Sequence, residues 1–344
     1  MHRNPQEVST MKIAFFEIKG WEKAMIKRAL KKHKIVFFKE PLSEENVSKI
    51  KNIDVLSVFV YSQVTPEILK KLPKLKLLIT RSTGFEHISL SACKKQNIIV
   101  CNRPTYGENT VAEHTFALIL ALSRKVHKSY LRTLQSNFEI EGLMGFDLEG
   151  KTLGVLGAGN IGKHVIRIAR GFNMNVIACD RHPDEFLAEQ LNFKFVDFKT
   201  LLKKSDILTL HVPYKKENYH LINSRAIKQM KKGAILINTA RGELVDTEAL
   251  IKALDSKKIS GAGLDVLEGE TLIKEEKELL YDKTKRKDLE QLAEDHILLA
   301  KDNVVFTPHI AFYSKEALVR IIENTIENIL DFEKGNLQPY YLIQ

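Results

Sequence analysis

The chain is poor in the features that usually declare a metal site, a secreted scaffold or a membrane protein. Its three cysteines, Cys93, Cys101 and Cys179, show no C-x-x-C spacing in 344 residues. That pattern argues against a zinc site and a disulfide framework, and it fits a reducing compartment. The N-terminus is polar and lacks an apolar signal core. No stretch is long and apolar enough to span a bilayer. These absences predict a cytoplasmic protein with no metal and no membrane partner. There is no internal repeat and no low-complexity tract. Acidic charge is in deficit, leaving a formal net charge of +10. Yet the lysines are scattered in short pairs such as Lys31-Lys32, Lys70-Lys71 and Lys231-Lys232, without interleaved aromatics. No nucleic-acid partner is expected from that pattern; it reads as solvated surface with a mild attraction for anions.

What is present is an alternation of short apolar runs and helical periods, which implies parallel sheets covered by helices. Strand-like runs open at Lys12, Lys34, Val55, Leu77 and Ile98. A helix is predicted over Trp21 to Lys32, where apolar residues recur on one face. Met11 directly precedes the first strand, so Met1 to Thr10 reads as an extension. The stretch from Asn109 to Leu122 is apolar nearly all round, which predicts a helix buried on every side. It is expected to lie between domains or subunits, and a homodimer built largely on it is expected. A second α/β series starts at Thr152. The segment from Lys274 to Asp295 is dense in Lys and Glu and predicts a helical surface insertion. An amphipathic helix follows from Lys315 to Phe332.

The second series opens on Lys151-Thr-Leu-Gly-Val-Leu-Gly-Ala-Gly-Asn-Ile-Gly162. A strand runs into Gly157, Gly159 and Gly162 in G-x-G-x-x-G spacing, and a helical period follows. The first glycine permits a tight turn, the second lets a pyrophosphate approach the backbone, and the third lets helix and strand pack closely. The helix N-terminus adds unpaired N–H groups and partial positive charge. Eighteen positions past Gly162, a second strand ends in Asp180, where a carboxylate can hydrogen-bond the adenosine ribose. That favours NAD and makes NADP less likely, although Arg181 beside it offers a partner for a 2′-phosphate.

Three further stretches sit where strands end, the ligand side of an open α/β sheet. Arg241 follows one strand, Asp265, Glu268 and Glu270 follow the next, and His309 follows the last. A guanidinium can clamp a substrate carboxylate. An imidazole can pass a proton to or from a carbonyl or hydroxyl oxygen, with a carboxylate fixing its tautomer. Beside a nicotinamide, this set suits oxidation of a carbinol next to a carboxylate.

Taken together these residues resemble the D-isomer-specific 2-hydroxyacid dehydrogenases. The resemblance runs from Met11 nearly to the C-terminus. It rests on Arg81-Ser-Thr-Gly-Phe-Glu-His87, Tyr106-Gly-Glu-Asn-Thr-Val-Ala-Glu-His114, Leu156 to Asp180, His211-Val-Pro213, Asn238-Thr-Ala-Arg-Gly242, Asp265-Val-Leu-Glu-Gly-Glu270 and Pro308-His-Ile-Ala311. It implies two doubly wound parallel-sheet domains. A flavodoxin-like substrate domain (1–105 and 308–344) would hold an inserted Rossmann NAD domain (106–307), and closure between them would exclude water. It implies catalytic roles for Arg241, Glu270 and His309, with Glu270 paired to His309. Asn160 and Ile161 would lie at the pyrophosphate, with Val212 and Pro213 on the adenine side. Thr239 and Ala240 would approach the nicotinamide, and Asp265 would hold its carboxamide. Backbone N–H groups of Thr83 and Gly84 would reach the substrate carboxylate, and Tyr313 with Phe312 would wall a small side-chain pocket. The implied substrate is a small D-2-hydroxy acid or its 2-keto acid. Lactate leads, with glycerate, phosphoglycerate and bulkier acids as alternatives, and a non-catalytic NAD-sensing regulator as the rival from another class. The long charged stretch from Thr271 to Asp302 departs from the family pattern.

Overall fold

The computed structural model describes residues 10–102, 105–269 and 286–337. It divides into two compact units: one takes the chain up to Tyr106 and again from Ser314, the other is Gly107–Tyr313.

The first unit begins β1 (Lys12–Phe15), α1 (Gly20–Ala29), β2 (Lys34–Phe37), β3 (Val55–Val58), α2 (Pro66–Lys70), β4 (Leu77–Thr80), α3 (Leu90–Lys95) and β5 (Ile99–Cys101). All pairings are parallel and the strand order is β2-β1-β3-β4-β5. That is the flavodoxin-like order. Alternation along β1 decides which face each side chain fills. Ile13 and Phe15 join a core with Ile26 and Leu30 of the α1 side, while Ala14 and Phe16 join one with Ile68, Leu69 and Cys93 of α2 and α3. Pro66 opens α2, and Thr65 caps it by accepting the Ile68 N–H at 3.3 Å.

The second unit runs α4 (Glu108–Arg124), α5 (Val126–Leu134), β6 (Thr152–Leu156), α6 (Asn160–Gly171), β7 (Asn175–Cys179), α7 (Glu185–Leu191), β8 (Lys194–Phe195), α8 (Phe198–Lys204) and β9 (Ile207–Leu210). It continues through α9 (Ser224–Gln229), β10 (Ala234–Asn238), α10 (Thr247–Asp255), β11 (Ile259–Leu264), α11 (Arg286–Leu299) and β12 (Val304–Phe306). The chain then returns to the first unit as α12 (Lys315–Lys334), whose Ile322 and Ile329 complete the core on the α1 side. The second sheet is all parallel, ordered β12-β11-β10-β9-β6-β7-β8. Counted from β6, this is the Rossmann arrangement with one strand added at the edge. The two helical layers pack on opposite faces, α4 and α6 on one and α8, α9 and α10 on the other.

Two expectations change here. The stretch Asn109 to Leu122 is not buried on every side: α4 packs on α6, β10, β11 and β12 of its own unit, while Asn109, Glu113 and Ala117 stay exposed. Phe116, Leu118 and Ile119 enter the core that β6 and α6 build. Apolar surface is exposed instead on α5, at Val126, Tyr130, Leu131 and Leu134, and onward at Phe138, Ile140 and Met144. The stretch 308–313, expected with the first unit, belongs to the second, because its backbone is bonded to Asp265. Of the charged insertion, the described part is α11, which seats Leu292 and Leu298 in the interior and packs on α10 and β12. No helix among the described residues is long and apolar enough to cross a membrane.

Candidate active site

β6 runs directly into Gly157, whose φ of +95° is a conformation that side chains rarely adopt. A Cβ there would come within 2.8 Å of the His211 backbone. At Gly162 a Cβ would lie 2.0 Å from the Gly157 carbonyl oxygen, so turn and helix close on each other only without one. Gly159, the N-cap of α6, differs: nothing lies within 4 Å of where its Cβ would be. Space is therefore kept beside the first residues of α6, Asn160 and Ile161, where helix N–H groups lack intrahelical partners.

Asp180 follows β7 directly. Its Oδ2 accepts the Ala158 N–H at 2.8 Å and its Oδ1 accepts the His182 N–H at 3.0 Å. The acid thus ties the end of β7 to the glycine turn. Arg181 turns to the exposed Glu217, with 3.0 Å between Nη2 and Oε1. A second carboxylate here opposes a 2′-phosphate, so the cation that weakened the NAD preference is countered. After β9, Val212 packs against the core while Pro213 is exposed, its carbonyl accepting from Asn218 at 2.8 Å. His211 places Nε2 at 2.9 Å from the Thr209 hydroxyl, and its buried Nδ1 has no partner among the described residues. Burial pushes its pKa down to about 3, so the ring is neutral near pH 7. An open helix N-terminus, an anchored acid and an orphaned ring nitrogen at adjacent strand ends fit a dinucleotide.

The turn after β10 is built by Asn238. Its Oδ1 accepts the Ala240 N–H at 3.0 Å and its Nδ2 donates to the Arg241 carbonyl at 2.8 Å. Thr115 on α4 gives its hydroxyl proton to the Val111 carbonyl, so the Thr239 hydroxyl, 3.1 Å away, donates to Thr115. Half-buried Arg241 spends one guanidinium donor on the Ala240 carbonyl at 2.8 Å.

Beyond β11, Asp265 is only 1% exposed and organises the next turn. Its Oδ1 accepts the Thr307 hydroxyl at 2.5 Å and the Ile310 N–H at 2.9 Å, and its Oδ2 accepts the Ala311 N–H at 2.8 Å. Its carbonyl accepts the His309 N–H at 2.9 Å. His309 consequently sits at φ +54°, in the left-handed region. Its ring meets Phe312 edge-on at 6.4 Å, and Phe312 meets Tyr313 likewise at 5.8 Å. The Asp265 carboxylate, expected at the nicotinamide, thus carries a further task, that of shaping the His309 turn. Glu270, expected to pair with His309, lies outside the described residues. Glu268 is taken by His220 Nε2 at 2.7 Å and the Tyr219 hydroxyl at 2.6 Å. That hydrogen bond, chiefly, pushes the Tyr219 pKa up to about 12.

In the first unit, Thr83 and Gly84 follow β4. Asn102 Nδ2 donates to the Thr83 carbonyl at 2.8 Å and the Ser82 hydroxyl to the Gly84 carbonyl at 2.6 Å. In a trans peptide the N–H points opposite to the carbonyl, so these bonds fix where the N–H groups of Gly84 and Phe85 point. Buried Arg81 anchors the loop, donating to the carbonyls of Phe16 at 2.6 Å and Glu17 at 3.2 Å and to the Ser57 hydroxyl at 3.0 Å. Burial pulls its pKa down to about 10, still far above neutrality.

Within the second unit, then, His309, Asp265, Arg241 with Thr239 and Ala240, His211 with Val212, Gly157, and Asp180 all follow strands at one carboxyl edge, from β12 across to β7. Among the described residues no cluster of His, Cys, Asp or Glu has the makings of a metal site. Sequence reasoning gave no role to Asn238, Thr307, His114 or Thr115. Their only signal was a place within or beside the quoted motifs.

Residues 116–311 match the family model for the NAD-binding domain of D-isomer specific 2-hydroxyacid dehydrogenases. D-lactate dehydrogenase of Escherichia coli strain K12 is 36% identical over 337 residues, covering 97% of this chain and 100% of that one. Glyoxylate reductase of Thermococcus litoralis is 36% identical over 324 residues, covering 91% of this chain and 92% of the relative. The crystal structure of D-lactate dehydrogenase from Aquifex aeolicus, complexed with NAD and lactic acid, superimposes with a TM-score of 0.82 at 39% identity, covering 94% and 96% of the two chains. The chain belongs to the D-isomer-specific 2-hydroxyacid dehydrogenase family. It is an NAD-dependent oxidoreductase that interconverts D-2-hydroxy acids and 2-keto acids.

Proposed function

We propose that this enzyme reduces pyruvate to D-lactate and catalyses the reverse reaction. The observation that carries the proposal is the placement of Arg241, Asp265 and His309 after three neighbouring strands, on the same sheet edge as the glycine turn. Bound at that edge, NAD supplies the two-electron donor or acceptor. Arg241 grips the substrate carboxylate with its remaining donors and polarises the keto oxygen. His309 delivers a proton to that oxygen in reduction and removes it from the hydroxyl in oxidation. Glu270 is assigned as the carboxylate partner of the imidazole. Thr239, Ala240 and Asp265 flank the nicotinamide, and Val212 and Pro213 flank the adenine. Thr83 and Gly84 are assigned as backbone donors to a carboxylate; the bond to the Thr83 carbonyl fixes the peptide plane that carries the Gly84 N–H. Phe312 and Tyr313 limit the side chain accepted next to the carboxylate.

Glyoxylate is the second substrate to consider, because a relative of equal identity is a glyoxylate reductase. A panel of 2-keto acids, each offered with NADH and NADPH and followed by absorbance loss, tests both readings. Turnover fastest with pyruvate and NADH is the expected result. A higher kcat/KM for glyoxylate, hydroxypyruvate or a bulkier acid reassigns the substrate.

We also propose a homodimer and a cytoplasmic location. The first is supported by the exposed apolar side chains of α5 and of Phe138, Ile140 and Met144. The second is supported by three unpaired cysteines.

A further inference from the structure

α4 contributes two consecutive side chains to the sheet edge, and the reading above uses neither. Thr115 receives the Thr239 hydroxyl at 3.1 Å, and His114 Nε2 lies 2.8 Å from the Thr307 hydroxyl oxygen. The proton positions along the second path follow from chemistry. A hydroxyl has a single hydrogen, and Thr307 gives it to Asp265 Oδ1. The hydroxyl oxygen then offers lone pairs to His114, so the hydrogen of that contact is on Nε2. The ring nitrogen is also 3.5 Å from Asp265 Oδ1 itself. Donors therefore run in one direction, from His114 through Thr307 to Asp265. At the far end, the same carboxylate receives the N–H groups of Ile310 and Ala311. Between these anchors His309 is held at φ +54°. A residue with a Cβ keeps that conformation only where its surroundings impose it.

We infer that His114 is a positioning residue for His309: its Nε2–H, through the Thr307 hydroxyl, orients the Asp265 carboxylate and so holds the left-handed turn that presents the imidazole. This rests on the acid–base role given to His309 above. His114 touches neither substrate nor cofactor in this assignment. It acts from α4, whose position is set by its packing on α6 and β11. The helix that closes the core thereby also fixes the strand-end turns, with Thr115 doing for Thr239 what His114 does for Thr307.

The test compares His114→Phe, His114→Gln, Thr307→Val, Thr307→Ser and the His114→Phe/Thr307→Val double variant. His114→Phe and Thr307→Val are each expected to lower kcat for keto-acid reduction by roughly ten- to a hundredfold. NADH affinity by fluorescence titration is expected to stay within about twofold. The double variant should be no slower than the slower single one, since both cut one chain of donors. His114→Gln and Thr307→Ser retain the needed donor and should recover part of the loss. Amide exchange over residues 307–313 should quicken in His114→Phe and Thr307→Val. Parental kcat and parental exchange in both of these variants would overturn the inference. So would losses that multiply in the double variant, or NADH affinity that falls in step with kcat. Exchange reads the turn without turnover, so it decides the matter even if His309→Gln retains full activity, a result that would instead remove the acid–base reading. If His114→Phe does not fold, exchange and kcat of Thr307→Val decide alone.

Discussion

The carboxylate of Asp180 accepts the backbone N–H of Ala158 at 2.8 Å, so the acid that ends β7 holds the glycine turn that ends β6. The same side chain accepts from His182, while its neighbour Arg181 is paired with Glu217. Asp180→Ala should therefore weaken NADH binding by about tenfold, with less effect on NADPH. Glu217→Gln releases Arg181 and should raise the NADPH-to-NADH ratio of kcat/KM. Ratios unchanged in both variants would show that neither carboxylate selects the cofactor.

The glycines of the turn separate binding from folding. A methyl at Gly162 meets the Gly157 carbonyl at 2.0 Å, and no flexible neighbour can yield. Gly162→Ala should lower the melting temperature sharply or prevent folding. A methyl at Gly159 meets nothing, so Gly159→Ala should melt like the parent and lose NADH affinity, because it fills the space a pyrophosphate needs. Calorimetry with NADH titration checks both. Parental NADH affinity in Gly159→Ala would remove the pyrophosphate from that position.

For the chemistry, His309→Gln should lose on the order of a hundredfold or more in kcat with little change in NADH affinity. Arg241→Lys should raise the keto-acid KM and lower kcat, because an ammonium cannot reproduce a two-pronged clamp. Steady-state kinetics on both variants separates the roles. Loss of NADH binding in His309→Gln, or parental kinetics in Arg241→Lys, would contradict them.

The proposed dimer surface is exposed in one copy, with Met144 87% and Leu134 65% accessible. Leu131→Glu with Leu134→Glu should shift sedimentation from dimer to monomer. Substitution on α4, for example Ala117→Glu at an exposed position, should leave the assembly intact. The opposite pattern would return the interface to α4, and a parental monomer would remove the dimer.

Asp295 on α11 is 0% exposed, and its Oδ2 has no partner among the described residues. Burial first, then the nearby Glu268 and Glu294, push its pKa up to about 7 against the lowering effect of Gln291. The folded state therefore keeps a proton that the unfolded chain releases near pH 4, and stability contributed by this site declines as pH rises from there to about 7. Asp295→Asn should gain on the parent by about 1–4 kcal/mol between about pH 4.5 and pH 8, because the amide cannot ionise. Urea unfolding at both pH values reads the difference. A constant offset between the two proteins would place the ionisation elsewhere.

Much of this was legible in residue order. The apolar runs at Lys12, Val55 and Leu77 became strands because parallel sheets are buried on both faces, and burial demands continuous apolar sequence. The glycine turn was legible because its constraints are local: a positive φ at Gly157, and a 2.0 Å approach at Gly162. Asp180, Arg241 and His309 stood out as candidates because each lies within three residues of a strand end, where open α/β sheets bind ligands.

Pairings across sequence were not legible. His114 and Thr307 are 193 positions apart, and Arg181 and Glu217 are 36 apart. Nothing in local pattern says that they meet. Composition likewise showed that the Asn109 to Leu122 helix is apolar all round without showing what covers it. By itself the sequence determined the class of fold and the cofactor device, because these depend on periodicity and short-range backbone geometry. Only the tertiary structure decided that α4 packs one face into its own unit, that α5 carries exposed apolar side chains, and that the Asp265 carboxylate shapes the turn bearing His309. Those outcomes depend on which surfaces the finished sheet brings within hydrogen-bonding and packing distance.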